Sequence, residues 1–264
     1  MNLLTVIPYC SKDLSLAKKL LGWMSELQPR YLKHSCLLVA DHEVPQDDKL
    51  AMQNLAKPMF EHTETMIVRV PAPKQIWPDG PNIMFASAAR QVQESFRLPW
   101  LWLEPDAVPI LAGWLDAIAR AYAVCPKRFM GSFIPADNQP DMPPVHLSGC
   151  AVYPPNAWGG LEPIMKAATK AFDIALAGYL IPRASNCVLM QHYWGQVGLP
   201  PTFSTAPTPL DPKNVLTLDF LKPNSVLFHR CKDGTLIDLL RERANSHPVT
   251  TPRTKVKETA SAAT

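Results

Sequence analysis

The chain has 264 residues, enough for one large domain or two small ones with a sizeable core. Its 47% apolar and 19% charged residues are the composition of a soluble globular protein and exclude a disordered or fibrous chain. A net charge of +3 does not demand a polyanionic partner, although a local basic patch is compatible with it. The cysteines at 10, 36, 125, 150, 187 and 231 form no CxxC pair, which removes a zinc knuckle and a dithiol redox motif. They read as reduced thiols of a cytosolic protein. No signal-type segment opens the chain and no run approaches a membrane span, so a cytoplasmic protein without membrane contact is expected. The 28 prolines point to long ordered loops and argue against an all-helical chain.

Residues 3–8 form an apolar strand with a polar exit, where Ser11 or Asp13 is placed to cap a helix. In that helix Leu16, Leu20, Trp23, Met24 and Leu27 recur at helical spacing, and Trp23 and Met24 read as core. Strand, short loop and helix together are the opening of a doubly wound sheet. Residues 37–40 make a second strand closed by Asp41, a residue type that at a strand end forms a turn or faces a ligand. A helix over 46–57 and a strand over 65–70 follow. The Pro- and Gly-rich loop after it leads into a helix over 82–96, whose small residues Ala86, Ser87, Ala88 and Ala89 permit close approach to a sheet. Gly80, Pro81 and Asn82 sit at its N-terminus, a general anion-binding position. Trp77 reads as a loop anchor packed on the core. No GxGxxG or P-loop is present, so dinucleotide and NTPase readings lack their residues.

The stretch that organises the chain is 98–114, LPWLWLEPDAVPILAGW. A short bulky apolar run bounded by prolines reads as a buried central strand. Pro105 has no N–H and stops the ladder. Alternation along extended chain points Glu104 and Asp106 the same way out of the strand's C-terminal end, where open α/β sheets bind ligands. Two acids so placed repel unless a cation or a proton lies between them; otherwise they are a solvated strand-end turn. A helix over 113–122 and a strand over 128–134 follow. Next come a Pro-rich loop over 136–144, of the sort that closes over a site, and the strand HLSGCAVY over 146–153. Gly149 inside that strand marks a bulge or a close backbone approach. Asp173 precedes an apolar run and reads equally as a helix cap or a functional acid, with Glu162 its competitor. A second strand-end cluster lies in SVLFHRCKDGTLIDLL, which presents His229 and Lys232. Carboxylates with one imidazole suit Mn²⁺ or Mg²⁺, and a nearby lysine suits a diphosphate. The Pro-rich loop 202–214 fits an acceptor face. Residues 246–264, with Arg253, Lys255 and Lys257, have no apolar period and are expected to be a disordered basic tail.

Glu104-Pro105-Asp106 resembles the Asp-x-Asp signature of metal-dependent GT-A glycosyltransferases, with Glu in the first place. His229 and Lys232 resemble the late His and Lys that in several of those families complete the metal site and hold the nucleotide diphosphate. The opening LLTVIPYCSKDLSLAKKLLGWM is similar to the first strand and helix of that fold. The resemblance implies one α/β, GT-A-like (Rossmann-related) domain over 1–245, its mostly parallel central sheet flanked by helices. It implies an enzyme that moves a sugar from a nucleotide diphosphate sugar, a UDP-sugar foremost, to an acceptor hydroxyl. Glu104, Asp106 and His229 would be the Mn²⁺ or Mg²⁺ ligands and Lys232 the diphosphate partner. Pro8, Tyr9 and Asp41 would meet base and ribose. Asn82 and Arg90, with Lys74 and Trp77, would contact the donor; His146, Ser148 and Gly149 would border the sugar and acceptor; Asp173 would be the base of an inverting reaction. Gln191-His192-Tyr193-Trp194 is only faintly similar to the Gln-x-x-Arg-Trp signature of processive members, since Tyr193 stands where that signature has Arg.

The acidic motif with its following Pro-Ile-Leu-Ala-Gly-Trp looks like small stand-alone phage glycosyltransferases. That implies a bacterial or phage-infected cytoplasm and a 5-hydroxymethylpyrimidine of DNA as acceptor, with a glycan, lipid-linked or protein hydroxyl as the alternative. Two other classes remain at this point. One is a sugar-nucleotide or nucleic-acid binding module without chemistry. The other is a nucleotidyltransferase, whose Gly-rich, Arg/Lys-bearing N-terminal loop is not seen here.

Overall fold

The first strand, β1 (Leu4–Tyr9), is buried at every position, as a strand covered on both faces must be. It lies inside a mixed α/β fold in a computed structural model that describes residues 1–135, 142–193, 200–206 and 214–246. The elements follow in chain order: α1 (Leu14–Leu27), β2 (Tyr31–Asp41), α2 (Gln46–Ala56), β3 (Phe60–Val68), α3 (Asp79–Gln91), β4 (Trp100–Trp102), β5 (Ala107–Pro109), α4 (Trp114–Ala123), β6 (Phe129–Pro135) and β7 (Val145–Tyr153). Then come α5 (Trp158–Lys166), α6 (Phe172–Ala175), α7 (Ala177–Leu180), β8 (Ala184–Asn186), β9 (Met190–His192), β10 (Thr202–Phe203), β11 (Val215–Leu216), β12 (Leu227–His229) and α8 (Thr235–Ser246).

Seven strands form the main sheet in the order β3-β2-β1-β4-β7-β6-β8. Every pairing is parallel except those of β7, which runs against both β4 and β6. This is the mostly parallel sheet flanked by helices that the sequence predicts. Alternation assigns the two faces. Ile7, Leu38, Ala40, Leu101 and Leu103 pack with α1, α2 and α4 on one side. Val6, Leu37, Val39, Trp100 and Trp102 pack with α3, α5, α6 and α7 on the other. A three-stranded sheet, β5-β12-β9, is built around β12, which pairs antiparallel with β5 and parallel with β9. Together with α8 it buries Val108, Phe228, Leu236 and Ile237 around Trp23, whose indole N–H donates to the Pro109 carbonyl at 2.7 Å. Trp23 and Met24 are core residues, as read, and all six cysteines are free thiols.

Several boundaries differ from the sequence reading for physical reasons. β3 begins at Phe60, because exposed polar residues such as Glu61 and His62 hide the start of an edge strand, and β2 begins at Tyr31, ahead of a register shift between Tyr31 and Ser35 that leaves Leu32 and Lys33 exposed. Asp13 caps no helical N–H; its Oδ1 accepts from the Cys10 amide at 2.6 Å. The helix read at 82–96 starts at Asp79 and ends in a π turn, Val92–Phe96, closed by Arg97 at φ 55°. The ladder stops before Pro105 as expected, yet the chain becomes strand again at once, in the other sheet. Gly149 falls in the segment where β7 bulges against β6, between the Gly131–Ala151 and Phe133–Leu147 pairs. The tail (247–264), residues 136–141, 207–213 and Trp194 fall outside the described residues. Among the described residues, no helix is long and apolar enough to cross a membrane.

Phe85 is the hub of the second face. It stacks on Phe172 at 4.1 Å and meets Trp102, Tyr153 and Trp100 within 5.3–5.6 Å, so it ties α3 and α6 to the sheet. Phe85→Ala is expected to cost about 3–5 kcal/mol in a denaturant titration, the usual range for truncating a fully buried aromatic.

Candidate active site

The C-terminal ends of β1, β2 and β4 open onto a cavity of about 730 Å³, the ligand position of an open α/β sheet. Its floor is the acidic motif. The Ala107 amide donates to the Glu104 carbonyl at 2.9 Å, closing a tight turn about Pro105. β5 then pairs with β12 in the register Ala107–His229, which sets His229 directly beside the turn. Beyond His229 the chain folds back with Arg230 at φ 92°, and the amides of Arg230 and Cys231 both donate to the Asp106 carbonyl, at 3.2 and 3.0 Å.

These constraints bring the two acids and the imidazole together. His229 Nε2 is 3.1 Å from Glu104 Oε2 and 3.2 Å from Asp106 Oδ1. Burial by itself works against charge on His229, but the Asp106 and Glu104 carboxylates more than reverse it and raise its pKa to about 10. Burial likewise opposes ionisation of Asp106, and His229 reverses it, so the Asp106 pKa lies below the usual carboxylate range. With no cation bound, the cluster at neutral pH is an imidazolium between Asp106 and Glu104; a metal ion held there would displace the Nε2 proton of His229. Its single Nε2–H is aimed at Glu104, leaving Asp106 Oδ1 sealed from solvent with an ionic neighbour and no hydrogen bond. One ligand atom from each of the three residues lies within 4.8 Å of the others. Two carboxylates and an imidazole with an orphaned buried oxygen fit a hard divalent cation.

Behind His229 lies a second histidine that the sequence reading did not assign to the site. β9 and β12 pair His192 with His229, and their Nδ1 atoms are 3.0 Å apart. Ser148 Oγ sits 3.1 Å from His229 Nδ1 and 3.3 Å from His192 Nδ1. Burial first, and then the His229 charge, drive the His192 pKa well down, so neutral His192 accepts while His229 donates. A short apolar strand ending in His, MQH, was the available signal. Phe172, Lys12 and Arg230 also line the cavity, as does Asp13, which the sequence offers only as a helix cap.

The other predicted residues divide. Pro8, Tyr9, Asp41, His146, Asp173 and Lys232 line the cavity. Asp41 serves the turn reading too, since its Oδ1 accepts from the Glu43 amide at 3.1 Å and lies 2.8 Å from His42 Nδ1. Ser148 and Gly149 lie in the layer beneath: a Cβ built on Gly149 would stand 2.7 Å from Glu104 Oε1 and 2.9 Å from Phe172 Cζ. Asn82 and Arg90 are not brought to the cavity wall. Asn82 donates to the Lys170 carbonyl at 2.9 Å, and Arg90 lies over the Trp158 ring at 5.4 Å. Lys74 is not part of the wall, and Glu162 pairs with Lys166 at 3.0 Å on the outer face of α5. Trp77 is no core anchor: it lines the cavity with 70% of its surface exposed.

Asp173 and His146 form the opposite wall, with His146 Nε2 3.9 Å from Asp173 Oδ2. Burial lowers the His146 pKa to about 4, so it is neutral. Burial and the charge of Glu104 raise Asp173 to about 6. Asp173 does not cap α6, whose N-cap position is Ala171; it lies in the first turn of that helix, where its Oδ1 accepts from the Ile174 amide at 2.9 Å.

No protein-family model matches the chain, and no curated protein matches it. Solved structures do. The galactosyltransferase LgtC, in complex with donor and acceptor sugar analogs, aligns with a TM-score of 0.53 over 96% of this chain and 98% of that one, at 11% identity. An active-site mutant of LgtC gives 0.53 over the same shares at 10% identity. The bifunctional glycosyltransferase WbbM in its apo form gives 0.51 at 11% identity, over 86% of this chain and 45% of that one. The likeness is one of fold: the chain has the α/β architecture of GT-A glycosyltransferases, as its motifs predict.

The raised pKa of Asp173 has a consequence for stability. Its carboxyl takes up a proton more readily folded than unfolded, so a cost of ionisation develops between pH 3.8 and about 6 and persists above. In chelator, Asp173→Asn is expected to be more stable than the parent at pH 7 by about 3 kcal/mol, with the gain vanishing below pH 4. Urea titrations across that range measure it; a pH-independent difference contradicts it.

Proposed function

We propose that the protein transfers a glycosyl group from a nucleotide diphosphate sugar, a UDP-sugar foremost, to an acceptor hydroxyl. The observation that carries this reading is the Glu104–Asp106–His229 cluster at the C-terminal mouth of the sheet, with Lys232 on the same wall. Glu104, Asp106 and His229 would hold Mn²⁺ or Mg²⁺, which when bound supplies positive charge against the diphosphate. Lys232 adds a compact cation where negative charge grows on the leaving group. Pro8, Tyr9 and Asp41, at the ends of neighbouring strands, offer the surface for base and ribose.

Asp173 is the proposed base. A carboxylate with its pKa raised to about 6 is a better proton acceptor than an ordinary one and is still ionised at pH 7. It takes the acceptor hydroxyl proton as that oxygen bonds to the anomeric carbon and the bond to the diphosphate oxygen breaks, which inverts the configuration. Neutral His146 positions the Asp173 carboxylate. Asp106→Ala, correctly folded by circular dichroism, is expected to lose at least 100-fold in nucleotide release from a nucleotide sugar with Mn²⁺, and excess chelator should do the same to the parent, the usual size of effect for removing a charge stabiliser. Full release under either condition sinks the metal-dependent reading. Tight donor binding without any release supports a binding module instead.

For the acceptor we propose a 5-hydroxymethylpyrimidine of DNA, on the sequence context of the acidic motif. A buried base would have to be flipped out to reach the cavity. A sugar hydroxyl is the second reading, favoured by the exposed Trp77 indole at the cavity, which suits the flat face of a pyranose. Duplex DNA containing 5-hydroxymethylcytosine or 5-hydroxymethyluracil, offered with mixed nucleotide sugars and digested to nucleosides, should show a hexosyl mass shift. If a preparation that hydrolyses donor gives no shift on DNA but labels an oligosaccharide, the acceptor is a sugar.

A further inference from the structure

We infer that His192, backed by Ser148, is a positioning residue for the metal site: by accepting the Nδ1–H of His229 it leaves the Nε2 lone pair of that ring facing Glu104 and Asp106, and so sets how tightly the site holds a divalent cation. The inference rests on the metal-dependent reading and names two residues that supply no metal ligand themselves.

A neutral imidazole carries one N–H, on either of two nitrogens, and a metal needs the lone pair on the nitrogen that faces it. In His229 that nitrogen is Nε2, 3.1 Å from Glu104 Oε2 and 3.2 Å from Asp106 Oδ1. Those carboxylates accept hydrogen bonds, so by themselves they favour the proton on Nε2, the wrong tautomer for ligation. A counter-pull is needed at the far nitrogen, and the fold supplies one. His192 Nδ1 lies 3.0 Å from His229 Nδ1, with the two rings nearly perpendicular at 79°. Two bare lone pairs at that distance repel, so an N–H stands between them. Once Nε2 of His229 holds a cation, the remaining proton of that ring is on Nδ1, and His192 must accept it. Ser148 Oγ is 3.1 Å from the first Nδ1 and 3.3 Å from the second, so its hydroxyl can also relay the bond. By either route the last acceptor is His192 Nδ1.

His192 is also held where it stands. The register of β9 on β12 sets it beside His229, and the Tyr193 amide donates to the His229 carbonyl at 3.2 Å. On its other side the Gln191 carboxamide donates to the Phe220 carbonyl at 3.0 Å. The same group accepts from the Lys222 amide at 2.8 Å and the Ser225 hydroxyl at 3.2 Å. A three-residue strand pinned at both neighbours of its histidine is a rigid mount for a supporting contact. Partners of this kind behind a ligand histidine are typically worth about 10- to 100-fold in metal affinity.

Mn²⁺ titrated into the full chain, alone and with UDP, gives the affinity from the free-ion electron paramagnetic resonance signal. His192→Leu should bind Mn²⁺ about 10- to 100-fold more weakly than the parent. Ser148→Ala should lose less, because the direct contact between the rings remains. Asparagine carries an amide oxygen at the place of the imidazole Nδ1 along the side chain, so His192→Asn should recover most of the affinity. A packing role would instead make affinity follow melting temperature through the three variants. Parent-like binding by His192→Leu, or binding by His192→Asn as weak as that of His192→Leu, overturns the inference and leaves glycosyl transfer standing. A parent protein that takes up no Mn²⁺ in either titration overturns the metal-dependent reading as well.

Discussion

One imidazolium between two carboxylates holds this molecule's two sheets in register. Glu104 follows the last strand of the parallel block, while Asp106 and His229 belong to the start of β5 and the end of β12 in the small sheet. The Asp106–His229 half of the contact is buried, so its value lies less in net attraction than in the penalty for breaking it. Removing one partner of a buried ion pair strands the other charge, typically at about 3–5 kcal/mol. The backbone is braced the same way, with two amides on the Asp106 carbonyl and the Trp23 indole on the Pro109 carbonyl. The organising stretch is therefore a crossing point at which the chain leaves one sheet and enters another.

The cavity follows from that crossing. Parallel strands β1, β2 and β4 end on one side of the sheet, and their C-terminal ends would be an open shelf by themselves. The small sheet closes one flank with His192, His229 and the loop after it, while β7 and α6 close another with His146 and Asp173. The antiparallel β7 makes this possible, since its start rather than its end reaches the ligand side and delivers His146 and Ser148 there. Proton positions in the cluster then follow from charge. The doubly protonated ring is His229, clamped by the acids, and the neutral ring is His192, behind it.

Much of this was legible in the sequence because it is carried by local chemistry. Pro105 stops a strand wherever it stands, alternation puts the two flanking acids on one side, and an apolar run ending in His229 identifies itself. The layered α/β fold was equally readable from strand–helix alternation. What escaped depended on contacts between distant segments. His192 looked like part of a faint motif, and only the β9–β12 register sets it against His229. Asn82 and Arg90 sit in the right helix, yet the first turns to the Lys170 carbonyl and the second to Trp158. Trp77 was assigned to the core because tryptophans usually are. Nothing in its own stretch announces that this one stands 70% exposed at a cavity wall. The strain at Arg230 is a backbone property with no signature in residue type.

Gly149 carries a consequence for how this site can vary. A single carbon added there would compete with the Glu104 carboxylate and with the Phe172 ring for the same space. The long acid at 104 and the missing side chain at 149 are thus two halves of one fit: the glutamate reaches across β7 because β7 offers it bare backbone. A shorter acid at 104 would leave a void above Gly149, and a larger residue at 149 would require that shortening. Growth at 149 alone meets both groups and shortening at 104 alone forfeits packing, so the two positions are coupled. The identity of the first acid in the motif is in this way written partly on a strand that contributes no ligand.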